Sequence, residues 1–286
     1  MRGLLAGAVA LLVGLGGSAL ALDASRLVSQ YSHEAWKDED GLPQNTVFSL
    51  AQTREGYLWV GTWEGLVRFD GVHFTVFDRS DSSEFRDVQI RALAEDGAGV
   101  LWVGTARGLL SYREGRFQRV PVETGLSEAM VYALAPAGEE ALWVGTEQGL
   151  FLLREGRTRR YGTEEGLPGE EVRALWVDSG GVLWVGTRAG LARVSEGRVE
   201  PVALPESLSG RAVKALHQGP DGAVWVGLEA GLVRLDERGA RHFTRSDGLP
   251  DERVSALLED RHGNLWVGTE GRGLVRYAGG SFAALG

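Results

Sequence analysis

Between Thr46 and Phe77 the chain alternates short apolar runs with polar turns. The runs are Thr46 to Gln52, Tyr57 to Gly61, Leu66 to Phe69 and His73 to Phe77, and Arg54-Glu55-Gly56, Thr62-Trp63-Glu64-Gly65 and Asp70-Gly71 separate them. Runs of about five residues bounded by Gly and Asp predict strands joined by tight turns. Nothing in the stretch has the length or the period of an amphipathic helix.

The pattern recurs along the chain. Trp59, Trp102, Trp143, Trp184, Trp225 and Trp266 stand 43, 41, 41, 41 and 41 residues apart, and each is followed by Val and then Gly. Twelve residues before them stand Val47, Ile90, Val131, Val172, Val213 and Val254; nine before them is always Leu. Four strands in a unit of about 41 residues make one blade of a β-propeller. A blade buries both faces against its neighbours, so its strands are apolar on both sides, and one four-stranded meander is not stable alone. The expected fold class is therefore all-β: a β-propeller of six four-stranded blades.

Closure has two candidates. Ser32 to Lys37 leads into Asp40-Gly41-Leu42-Pro43 as Arg241 to Thr244 leads into Asp247-Gly248-Leu249-Pro250. The expectation is that this N-terminal segment supplies the outer strand that closes the ring. Ser281 to Leu285 competes for the same slot, which leaves an incomplete seven-bladed ring as the alternative.

The N-terminus is separate from the repeats. Arg2, the apolar run Leu4 to Leu15 and the small residues before Leu22 have the parts of a secretory signal peptide. Residues 1–21 are expected to be removed by cleavage after Ala21, leaving 22–286 as an exported, periplasmic propeller; uncleaved, the run would anchor the chain in a membrane. With 30 basic and 39 acidic residues the net charge is −9, which argues against nucleic acid as a partner. The absence of cysteine excludes disulfides, thiolate metal sites and a Cys nucleophile.

Candidate chemistry is sparse. His33, His73, His217, His242 and His262 fall at unrelated places in the repeat, and no pair has metal-ligand spacing. The pairs Glu139-Glu140, Glu164-Glu165 and Glu170-Glu171 read as solvated turn carboxylates. No catalytic residue, metal or cofactor is expected.

In a propeller, function lies where loops converge over the channel, at positions that vary within a fixed frame. In the loops between second and third strands these are Trp63, Glu64, Arg107, Glu147, Gln148, Arg188, Glu229, Glu270 and Arg272. A second variable position lies eleven before the Trp: Phe48, Arg91, Tyr132, Arg173, Lys214 and Ser255. Three cations and two aromatics near an axis suit an anionic or sugar-like ligand, a small molecule or glycan. The competing expectation is that Arg91, Arg173 and Lys214 pair with neighbouring carboxylates and only line the wall. Trp63 is either a recognition residue or packs on a neighbouring loop.

The stretch DGLPQNTVFSLAQTREGYLWVGTWEGLVRFDGVHFTVF resembles the two-component regulator propeller repeat, as do EEGLPGEEVRALWVDSGGVLWVGTRAGLARV and SDGLPDERVSALLEDRHGNLWVGTEGRGLVRY. The resemblance covers residues 31 to 286. It implies an exported, non-catalytic ligand-sensing domain of the kind that precedes a membrane span and a histidine kinase or diguanylate cyclase, here without an output domain, so that such a membrane protein would be its partner. A weaker resemblance of Pro220 to Trp225 to the blades of propeller lyases of the streptogramin-lyase kind implies the enzymatic alternative, a lyase or glycan-active hydrolase. Those enzymes use a His and a metal, and no matching His-centred motif is visible.

Overall fold

Glycine and aspartate turns break every repeat into four strands, each pairing antiparallel with the next in sequence. The structure, a computed structural model, describes residues 35–121, 124–138 and 141–284. The expected signal peptide and its cleavage site lie outside these residues. Six four-stranded sheets follow one another in chain order, with strands numbered β1 to β24, four to a blade. This is the six-bladed propeller expected from the period. Blade 1 is β1 (Val47–Gln52), β2 (Leu58–Thr62), β3 (Leu66–Phe69) and β4 (Phe74–Phe77). The inner strands of the later blades are β5 (Ile90–Glu95), β9 (Val131–Pro136), β13 (Val172–Val177), β17 (Val213–Gln218) and β21 (Val254–Glu259). Consecutive inner strands pack against one another from β1 to β21, so they line the axis.

The fixed Val and Leu of each inner strand are three residues apart, a spacing at odds with the two-residue period of a strand. A β-bulge resolves this. In every blade the register shifts immediately after the Val (or Ile) position, leaving one residue unpaired between two ladder pairs. Both apolar side chains then reach the same neighbouring blade, and the bulged residue is turned away from the ladder. That residue is Phe48, Arg91, Tyr132, Arg173, Lys214 or Ser255.

Blades meet through a close approach at the Gly two after each Trp. A Cβ on Gly186 would stand 2.5 Å from Val213 Cγ1 of the next blade, and one on Gly104 would stand 2.5 Å from Val131 Cγ1. Only a residue without a side chain admits the branched one opposite. Trp59 is 2% exposed and reaches the next blade, its ring 5.0 Å from that of Tyr112. Three of the Trp side chains are also anchored within their blade. Trp102, Trp184 and Trp266 donate Nε1–H to Asp96, Asp178 and Asp260 at 2.8, 2.9 and 2.8 Å.

The closing strand differs from expectation. The sixth blade takes its fourth strand from β24 (Ser281–Ala284), paired with β23 (Gly273–Ala278). Residues 35–37 are in no strand. A hairpin through Gly279-Gly280 orders far less chain than closure over the whole ring, and Phe282 seals it by packing 4.8 Å from Tyr277. Trp36 instead packs on blade 1, 5.2 Å from Phe69 and 6.0 Å from Phe74. Strands β21 and β1 do not pack together as the other neighbouring inner strands do.

Candidate functional site

Two loop sets share one end of the channel. The backbone N–H groups of Trp63, Glu147, Arg188 and Glu270, in turns between second and third strands, donate to Thr46, Met130, Glu171 and Arg253, which lead into inner strands. Loop residues and bulge residues therefore converge.

Around Arg91 they form a cation–aromatic ladder. The Arg91 guanidinium carbon lies 5.0 Å from the ring centroid of Phe48, 5.8 Å from Trp63 and 5.7 Å from Tyr132. Phe48 and Trp63 pack 5.6 Å apart, and Trp63 keeps 42% of its surface exposed. Trp63 therefore packs on a neighbouring side chain and still faces solvent. Beyond Tyr132 the ladder continues to Arg173, again 5.7 Å from the Tyr132 ring. Burial holds the Tyr132 phenol above its usual 10.0, with Glu171 adding to the shift, so it stays a neutral donor.

The three bulge cations have different fates. Lys214 Nζ pairs with Glu229 at 3.0 Å and Glu270 at 2.6 Å. Burial alone would lower its pKa, but those two carboxylates outweigh burial and raise it. Arg173 Nε donates to Glu171 at 2.7 Å, and Arg188 joins the same carboxylate at 3.4 Å. Burial would raise the Glu171 pKa, yet its bonds from Arg173 and Arg188 bring it below the usual carboxylate value. Arg173 and Lys214 thus pair with neighbouring carboxylates. Arg91 differs. Among the described residues no carboxylate pairs with it, and its Nε is buried without a hydrogen-bond partner. Cation–π contacts contribute about 0.5–2 kcal/mol and leave the charge uncompensated, whereas a hydrogen bond to a charged group contributes about 1.5–3 kcal/mol. The rings fix the guanidinium in place and leave it able to receive an anion.

The other loop candidates lie apart from this ladder. Arg107 Nε is 3.6 Å from Glu128, which also pairs with Arg86. Glu147 accepts from the Met130 N–H at 3.4 Å. Glu64 and Arg272 stand exposed at their loop tips. Glu171 was missed as the hub of two arginines. Its place two residues before Arg173, immediately ahead of β13, was the available signal.

The family model for the two component regulator propeller matches residues 41–64, 84–107 and 248–271. Three segments of this β-propeller thus match the two component regulator propeller model. A histidine kinase of Formosa agariphila is 37% identical over 60 residues, which are 21% of this chain and 4% of that protein. The fold is similar to the extracellular domain described as part of a hybrid two component system of B. thetaiotaomicron, with a TM-score of 0.56 and 21% identity over 82% of this chain and 38% of that one. It is similar as well to virginiamycin B lyase from Staphylococcus aureus, with a TM-score of 0.67 and 16% identity over 83% of each chain. At these identities the structural likenesses are of fold alone. The chain spans less than two fifths of the two-component structure it matches. Among the described residues no helix is long and apolar enough to cross a membrane, and no group of three His, Cys, Asp or Glu could hold a metal.

Proposed function

We propose that this propeller is an exported, non-catalytic sensing module that binds a small anionic molecule or an acidic glycan unit at the Arg91 end of its channel. The observation that carries this reading is the Arg91 guanidinium, held among Phe48, Trp63 and Tyr132 and unpaired among the described residues. A ligand carboxylate or sulfate would pair with Arg91, while Trp63 and Phe48 offer apolar faces to a sugar ring or hydrocarbon. The regulator propeller repeats and the match to a histidine kinase support a signalling role, in which a membrane-bound kinase or diguanylate cyclase reads out the bound state. Calorimetric titration with matched acidic and neutral sugars, galacturonate against galactose and glucuronate against glucose, tests the reading. Binding of an acidic member, lost in Arg91→Ala, is expected. Equal binding of each pair, or binding indifferent to Arg91, would refute it.

A further inference from the structure

Each repeat Trp pairs, across the second and third strands of its blade, with Arg68, Ser111, Leu152, Arg193, Arg234 or Arg276. In blades 1 and 5 this arginine and two rings cover the indole. The Arg68 guanidinium carbon lies 5.9 Å from the Trp59 ring, with Phe77 at 5.6 Å and Tyr112 of the next blade at 5.0 Å. Arg234 lies 5.9 Å from Trp225, with Phe243 at 5.7 Å and Tyr277 of the next blade at 5.2 Å. Under this cover Trp59 is 2% exposed and Trp225 6%.

Blade 2 lacks the whole cover. Ser111 holds the place of the arginine, and Val120 that of Phe77 and Phe243. On blade 3, Leu153 holds the place of Tyr112 and Tyr277. Other blades keep part of the cover: Tyr161 lies 5.6 Å from Trp143, and blades 4 and 6 retain their arginines. Trp102 is accordingly only half-buried, and a recess of about 270 Å³ lies against it, lined by Ser111, Val120, Leu142 and Leu153. The indole edge is nevertheless fixed, because Nε1–H donates to Asp96 at 2.8 Å and Asp96 accepts in turn from the N–H groups of Ala98 and Val100. Trp102 is a held platform with a bare face.

The charge around the recess is acidic. Asp96 and Glu155 line it, and among the described residues Glu155 has no ion-pair partner. The single cation of the lining, Arg119, already donates to the carbonyls of Arg107, Ser127 and Glu84 at 2.9, 2.6 and 3.2 Å.

We infer that the recess between blades 2 and 3 binds a small molecule that joins an aromatic ring to a cation. On Trp102 such a molecule supplies the ring and the positive charge that blades 1 and 5 carry as their own side chains. Its charge is opposite to that received by Arg91, so the two places take different ligands. Benzamidine is the probe, and neutral benzamide the comparison, each titrated into the full chain carrying isotope-labelled tryptophan. The Trp102 indole N–H resonance, assigned by its loss in Trp102→Phe, is expected to shift saturably with benzamidine, at an affinity about threefold or more above that for benzamide. The resonances of the covered Trp59 and Trp225 should stay in place. Ser111→Arg, which restores the missing arginine at a half-buried strand position, should weaken benzamidine binding about tenfold or more, and Val120→Phe should do the same by restoring a ring. Melting curves of both variants verify that they are folded. A Trp102 resonance unmoved by benzamidine would overturn the inference, as would equal binding of benzamide or binding unchanged in folded Ser111→Arg.

Discussion

The guanidinium carbon of Arg91 stands 5.0 Å from the ring of Phe48, one bulge residue facing the next across adjacent blades. The relationship is available because a bulge at the same place in each blade turns its residue out of the ladder. Arg91→Ala should therefore abolish binding of an acidic sugar while costing stability only about 0.5–2 kcal/mol, the loss of its cation–π contacts, since it breaks no ion pair. Titration and thermal melting of the same variant check both parts.

Gly186 and Gly268 occupy one position of the repeat but not one environment. Each would bring a Cβ to 3.1 Å from an alanine of its own blade, but Gly186 also faces Val213 at 2.5 Å. Gly186→Val should destabilise by about 1–3 kcal/mol more than Gly268→Val, the usual range for overpacking. Chemical denaturation of the two variants measures the difference.

Trp59 lacks the anchor that Trp102, Trp184 and Trp266 have. Its Nε1 is buried without a partner, and Thr53 holds the place of Asp96, Asp178 and Asp260. Thr53→Asp should stabilise by about 1 kcal/mol, and Asp178→Ala should cost about 1–3 kcal/mol. Denaturation midpoints of the two variants should move in opposite directions.

Much of the fold was legible because one unit was written six times. The Trp-Val-Gly frame and the apolar positions before it record a contact that each blade makes with the next. Closure was not legible, because Ser32 to Lys37 and Ser281 to Leu285 both read as outer strands, and only the local hairpin to β24 decides between them. The variable position eleven before each Trp located Arg91, Tyr132, Arg173 and Lys214. Which of these cations is neutralised depends on carboxylates from other strands and blades, as Glu270 does for Lys214, and periodicity within one repeat does not carry that.

His217 gives the stability a pH dependence. Its imidazole packs 4.7 Å from Trp176 and lies 3.2 Å from Glu259. Burial lowers its pKa below 6.5, outweighing the pull of Glu259. The unfolded chain then binds the proton more readily, so the contribution is present above about pH 6.5 and is lost as the pH falls towards the folded value. Melting temperatures should drop between pH 7.5 and 5, and His217→Phe should flatten that part of the curve.

Sensing without turnover is the central claim, and one measurement addresses it directly: trigalacturonate titrated into the wild-type protein and Arg91→Ala, with the sugar recovered and sized afterwards. The account predicts saturable binding by the wild type, none by the variant, and a trimer recovered intact. Binding that survives Arg91→Ala, or a trimer returned as shorter fragments, would contradict it.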